Sequence, residues 1–229
     1  MRRYYDLGLA PGTRSDATQM LRTARELGFH GVTVEVEDSA LDELRASAEG
    51  IELYSRTTLT PKSPNDLYRE LRRVRWRHHV IAVRVFSREL LMAALRDSRV
   101  DLVVAPVNQM ITIDHHVAEV SRNAIELQFS SFLKNPEAFA AWLLRSSRWI
   151  ERRRVTVVVT SGASRELEMR RPIQLASLLA GMGFRVDLAL DSVSNVPSAI
   201  AVENARRLLG LSDSRGVWVL EGEEEVPRS

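Results

Sequence analysis

The chain has 229 residues, 45% of them hydrophobic, with 32 basic against 30 acidic side chains and no cysteine. This composition excludes disulfide frameworks, thiolate zinc sites, iron–sulfur clusters and cysteine nucleophiles, and a charged fraction of 27% excludes wholesale disorder. The longest apolar runs fall far short of the roughly 20 residues of a membrane helix, and the opening Met1-Arg2-Arg3-Tyr4-Tyr5-Asp6 lacks the apolar stretch of a signal peptide, so a soluble, cytoplasmic protein is expected.

Short β-branched runs alternate with amphipathic stretches along the whole chain. The runs are Tyr4–Leu9, Gly31–Val36, Ile51–Leu59, Val80–Phe86, Asp101–Ala105, Ala124–Phe129, Val155–Thr160 and Arg185–Leu190. Several are nearly continuously apolar, which predicts strands of a parallel sheet covered on both faces. Between the first two runs, Ala17, Met20, Leu21, Ala24 and Leu27 form one helical stripe, and Gly28 stops it. Ser63-Pro64-Asn65-Asp66 predicts a capped helix start with proline in the first turn. Asn135-Pro136-Glu137 repeats that signature ahead of the stripe Phe139, Trp142, Leu143 and Ile150, while Arg171-Pro172 and Val196-Pro197 open two more helices.

Strand starts recur about every 20 to 31 residues, one β–α unit each, so eight units predict a somewhat irregular (β/α)₈ barrel, TIM-like, over residues 1–210. An open doubly wound parallel sheet is the alternative α/β arrangement. Residues 211–229 are expected to add a short strand at Val217–Leu220 and a frayed acidic tail around Glu221–Glu225.

Lys62 and Lys134 are the only lysines, so 30 of the basic residues are arginine, the side chain suited to bidentate phosphate contacts and to stacking on bases. Charge is segregated along the chain. Glu35 to Glu52 holds seven acids and one base, Arg69 to Arg88 holds seven arginines and one acid (Glu70), and Arg145 to Arg154 holds five arginines and one acid (Glu151). On the helix after Pro64, Arg69, Arg72, Arg73 and Arg77 follow three- and four-residue steps, with Arg75 and Trp76 beside them. Such a face is either solvated or relieved of its repulsion by a phosphate backbone.

Catalytic signatures are sparse. The expected strand ends supply a polar rim of Asp6, Glu35, Glu37, Arg56, Arg84, Ser87, Asn108, Gln128, Ser130, Ser161, Asp191 and Ser192. The histidines are His30, His78, His79, His115 and His116, without His-x-His or His-x-x-x-His spacing, so a multi-metal centre is not expected. His30 is read as a helix-terminal residue and His78-His79 as a solvated basic turn. Gly-x-Ser-x-Gly, Gly-x-Gly-x-x-Gly and P-loop patterns are absent. The loop Ser161-Gly162-Ala163 follows a strand; it is a candidate for receiving a phosphate on its backbone N–H groups, or else a tight strand-to-helix turn.

Several segments, taken in order, carry a resemblance to a known family. Asp114-His115-His116-Val117-Ala118-Glu119-Val120-Ser121-Arg122-Asn123-Ala124-Ile125-Glu126-Leu127 resembles the "D-H … N-x-x-x-E-[IL]-x-F" segment of the archaeal ribonuclease P protein component three family. Thr160-Ser161-Gly162-Ala163 with Met169-Arg170-Arg171-Pro172 resembles its "T-S-G-A … L-R-x-P" signature. Tyr5-Asp6-Leu7, Arg99-Val100-Asp101-Leu102 and the stretch from Ser192 through Pro197 to Asn204 are similar to its "Y-D-L", "R-V-D-[LIV]" and closing "S-x-x-P … I … N" elements.

The resemblance implies a barrel related to the metal-dependent PHP phosphoesterases but without their ligands: a non-catalytic subunit assisting an RNA that removes 5′ leaders from precursor tRNA. It implies no cofactor in the protein, Mg2+ used by the RNA, and partnership with ribonuclease P RNA and with protein component two, as a heterodimer or a two-plus-two heterotetramer. The RNA-binding residues implied are Arg88, His115, Arg153, Arg154 and Arg170, with Arg122 standing in for a family lysine that is Glu119 here. His115 also admits a reading as a buried cap of its own helix, and each arginine an ordinary surface role. A metal-dependent phosphoesterase on the same barrel is the alternative activity, and an interaction scaffold working through Glu35–Glu52 is a third.

Overall fold

The computed structural model describes residues 2–36, 38–108, 111–152 and 154–211. Among them, seven strands form one sheet in sequence order, each parallel to the next: β1 Tyr5–Leu9, β2 Gly31–Val34, β3 Glu52–Leu59, β4 Val80–Arg84, β5 Leu102–Val104, β6 Ala124–Gln128 and β7 Val157–Thr160. Helices alternate with them: α1 Arg14–Leu27, α2 Asp38–Ser47, α3 Pro64–Val74, α4 Arg88–Arg96, α5 His115–Val120, α6 Phe129–Lys134, α7 Pro136–Glu151, α8 Pro172–Gly181, α9 Val186–Asp191 and α10 Asn195–Leu208. The result is a nearly closed, irregular barrel, not an open sheet. The tail from residue 212 onward, including the expected strand Val217–Leu220, lies outside the described residues.

The helix signals act as the side-chain chemistry requires. Thr13, Ser63, Ser87, Asp114 and Asn135 each accept a backbone N–H from three residues on, which satisfies an otherwise orphaned donor of the first turn. Gly28 closes α1 with φ 90°, a left-handed conformation that a Cβ would strain.

The eighth expected strand, Arg185–Leu190, is instead helix α9. Two facts explain the difference. At their C-terminal ends β1 and β7 approach directly: Ala10 N donates to Ala163 O at 2.9 Å, and a Cβ at Gly8 would lie 2.5 Å from Thr160 Oγ1. No strand fits between them there. Lower down, the two residues that follow α9 bridge the gap, Val159 N donating to Ser192 O and Tyr5 N to Val193 O, both at 3.0 Å. The alternation Val186, Leu188, Leu190 therefore does not serve a two-faced sheet position, and Val186 is solvent-exposed.

Two apolar clusters result. The larger lies between strands and surrounding helices; the smaller fills the barrel from Tyr5, Leu7, Tyr54, Val80, Ala82, Leu102, Val104 and Val158, with Ala201 of α10 closing it. Because α10 carries Ile200 and Val196 against that cluster, it plugs the end from which the strands start. The opposite end, where the strands finish, is left to polar residues.

Candidate nucleic-acid interface

The barrel mouth is the first place to look for chemistry, since active sites of such barrels lie at the C-terminal ends of their strands. Here Arg56 of β3 and Glu126 of β6, both buried, face each other across the interior in a two-pronged ion pair, Nη1–Oε1 2.8 Å and Nη2–Oε2 2.7 Å. Thr160 Oγ1 donates to the same carboxylate at 2.8 Å, and Arg56 also donates to the carbonyl of Leu7. Burial alone would raise the Glu126 carboxyl; the facing guanidinium overrides that and holds it below its ordinary range.

Two further acids of the mouth, Glu35 and Asp6, are similarly committed, while Glu37 of the expected rim lies outside the described residues. Glu35 accepts from Thr58 N at 2.7 Å and Thr58 Oγ1 at 2.9 Å. Asp6 is buried and accepts from Gly8 N and Ser161 N; burial pushes it up to about 6, and those donors only partly oppose it. Metal-dependent chemistry in such a mouth needs several carboxylates and imidazoles aimed into a shared vacancy. In this chain a guanidinium fills that space, and among the described residues no three His, Asp or Glu side chains converge as a metal site. The described side chains of the mouth do not fit a metal cluster.

The Ser161–Ala163 loop is corrected as a phosphate cradle. Ser161 N already donates to the Asp6 carboxylate, and Ala163 N to Ser161 Oγ at 3.3 Å. Two of the three donors are thus spent inside the protein, and a buried acid stands where an anion would sit. Gly162, with φ 60°, is required because a Cβ there would lie 2.5 Å from Ser130 Oγ. The loop is a tight turn.

The described basic candidates fall on three regions. Arg88, the first residue of α4, and His115, the first residue of α5, come together around Asp114, which pairs with Arg88 at 2.7 Å while capping α5 through Val117 N. His115 is corrected as a buried cap: Asp114 does the capping, and the imidazole is 61% exposed. Its ring lies 5.7 Å from Trp149 and 5.6 Å from His116, with Glu119 at 3.2 Å, and the guanidinium of Arg148 stacks 5.4 Å from the Trp149 ring centre. The side wall over α4, α5 and α7 therefore presents imidazole, indole and guanidinium groups together.

Arg122 and Arg154 are exposed at the ends from which β6 and β7 start, the opposite end from the mouth. Arg170 lies beyond β7 on the mouth side, where its guanidinium donates to Leu167 O and Met169 O and sits 5.4 Å from the Phe129 ring centre. Arg153 lies outside the described residues.

Other sequence readings change too. Arg75, beside the basic helix face in sequence, turns inward: it is buried and paired with Asp101 at 2.8 Å, with Asn204 of α10 beside it. His79 is not a solvated turn residue, because its Nδ1 accepts from Ser55 N and Ser55 Oγ, and burial lowers it to about 4. His30, just past α1, contacts Glu52 at 3.1 Å. The sequence does not signal Trp149, Arg148 or Phe129 as site residues, because Trp149 and Phe129 meet His115 and Arg170 from other elements, and Arg148 acts by stacking on its chain neighbour Trp149.

Fold and site together define a β/α-barrel protein whose mouth is closed by its own ion pair and whose outer wall is rich in arginine. Over residues 3–209 the chain matches the family described as RNase P subunit p30, and it belongs to that family. A curated relative, ribonuclease P protein component 3 of Methanosarcina acetivorans, is 26% identical over 97% of this chain and 98% of its own length. Among solved structures, a chain of an archaeal ribonuclease P with mature tRNA, determined by cryo-electron microscopy, superposes with a TM-score of 0.78 at 20% identity, covering 96% of this chain and 100% of that one. The metal-dependent tyrosine phosphatases YwqE of Bacillus subtilis and CpsB of Streptococcus pneumoniae provide a more distant likeness in fold, TM-score 0.57 at 12% identity over 90% and 94% of the two chains. No helix among the described residues is long and apolar enough to cross a membrane.

Proposed function

We propose that this chain is an RNA-binding, non-catalytic subunit of ribonuclease P that supports RNA-catalysed removal of the 5′ leader from precursor tRNA. The observation that carries the reading is the family match over the whole barrel, residues 3–209, in a chain whose mouth holds Arg56 against Glu126. A guanidinium locked to a carboxylate offers neither a nucleophile nor a free general base, so the protein's contribution is charge and shape. Arginine forks and exposed aromatic rings suit phosphates and unstacked bases. We assign RNA contacts first to Arg88 and His115 on the side wall, with Arg122, Arg154 and Arg170 on flanking surfaces, and with Arg153 on the strength of the sequence resemblance alone. Magnesium serves the RNA, whose charge the protein partly neutralises. The partners are ribonuclease P RNA, precursor tRNA through the holoenzyme, and protein component two in a heterodimer or two-plus-two assembly, in the cytoplasm.

The test is reconstitution. Mixed with the RNA and component two, the wild-type chain should lower the magnesium concentration needed for leader removal, and Arg88→Ala with His115→Ala should raise it again. Hydrolysis of a model phosphate ester by the purified chain, dependent on bound zinc or manganese, would overturn the proposal in favour of a phosphoesterase.

A further inference from the structure

Helix α3 turns Leu67 and Leu71 inward, and Arg75, one turn beyond Leu71, follows them to Asp101. At about 100° per residue, Arg69, Arg72, Arg73 and Trp76 centre on the opposite side. The chain keeps that direction past Val74, since Arg75 N donates to Leu71 O and Arg77 N to Val74 O. Asp66 takes up the charge of Arg69, whereas Arg72, Arg73 and Arg77 are exposed and have no ion pair among the described residues. Trp76 is 65% exposed. Among the described residues nothing stacks on its indole, in contrast to Trp149 under Arg148 and Phe129 under Arg170. Like charges and a bare aromatic face thus coincide at one place.

We infer that the outward face of α3 is a platform for an unpaired stretch of RNA, with one base stacked on Trp76 and flanking phosphates on Arg72, Arg73 and Arg77. The inference rests on the RNA-binding reading above but uses a different helix from the Arg88–His115 wall. A polyanion relieves the repulsion among the three guanidinium groups, and the π-face of an unstacked base covers the indole. Duplex RNA satisfies only the first need, because its bases are already stacked. An acidic peptide likewise supplies charge without a ring.

Binding of a fluorescein-labelled, unstructured ten-nucleotide oligouridine to the full chain, followed by anisotropy across a salt series, tests this. Trp76→Ala should weaken binding by about five- to a hundredfold, and Trp76→Phe by less. Its cost should be larger on oligouridine than on inorganic polyphosphate, which has charge and no bases. Arg72→Ala with Arg73→Ala should flatten the slope of log K against log salt by about 1.4, two phosphates at about 0.7 each. Wild-type affinity in both variants would overturn the platform. So would polyglutamate displacing the oligonucleotide as well as polyuridine does, which would assign the face to an acidic protein. If the wild-type chain ignores oligouridine but binds ribonuclease P RNA, the platform fails and the proposed function stands; if it binds neither, both fail.

Discussion

Replacing Arg56 by methionine tests the reading of the barrel mouth. The side chain is almost fully buried, and its removal leaves the Glu126 carboxylate only the neutral donors Thr160 and Gln128 in place of two short guanidinium bonds of 2.8 and 2.7 Å. Breaking one partner out of a buried pair costs about 3–5 kcal/mol, because the remaining charge stays desolvated and uncompensated. For a chain of this size, that loss lowers Tm on the order of 10 °C. Glu126→Leu alone should cost a similar amount, since it leaves a buried guanidinium. The double variant, with both charges replaced by apolar groups of similar volume, should recover most of the stability. Urea titrations of the two single variants, the double variant and the wild type complete the cycle. The sign with pH follows from the depressed carboxyl of Glu126: its contribution is present above the unfolded value near 4.3 and is lost as pH falls through the lower folded value. Single variants within about 1 kcal/mol of wild type would refute the argument that this pair organises the mouth.

Asp6, buried and raised to about 6, works in the opposite sense. Its contribution is fully present below about pH 3.9 and is lost as pH rises through 6, a swing of about 3 kcal/mol. Asp6→Asn, whose amide oxygen can still accept from Gly8 N and Ser161 N, should gain on wild type between pH 4.5 and 7; a constant difference in denaturation midpoints would contradict this. Gly162→Ala meets a left-handed backbone and places a Cβ 2.5 Å from Ser130 Oγ, so it should destabilise by on the order of 2–3 kcal/mol in urea titration. Arg88→Ala should weaken binding to ribonuclease P RNA and flatten its salt dependence by about 0.7–0.9, one phosphate contact, in filter-binding titrations.

Much of the barrel is legible in the sequence because strands buried on both faces must be apolar along their length. Runs such as Val80–Phe86 and Val155–Thr160 leave little alternative once capped helices are found between them. Closure is less legible. It depends on how near β1 and β7 come, which is set by Gly8 against Thr160, and on a two-residue bridge at Ser192 and Val193 that has no periodic signature.

The buried charges are the least legible part of the sequence. Arg56 stands in the polar rim, but its partner is 70 residues away inside a mostly apolar run, and Glu126 reads there as one acid in a strand. A lone acid amid strand apolars, at an inward register position, was the available signal. Arg75 reads as one more arginine beside a basic helix face, although its spacing of four and eight residues from Leu71 and Leu67 places it on their buried stripe. The Arg88–Asp114–His115 cluster joins two segments far apart in the chain, and Trp149 enters it from α7; no local pattern announces such a meeting.

The most direct test of the central claim is a pair of cleavage assays on end-labelled precursor tRNA over a magnesium and manganese series. One contains the purified chain alone, and the other contains ribonuclease P RNA and component two with and without it. The account predicts no leader release by the chain at any metal concentration, and release at lower magnesium when the chain joins the RNA. Leader release by the chain alone, or an RNA whose magnesium requirement does not move when the chain is added, would contradict it.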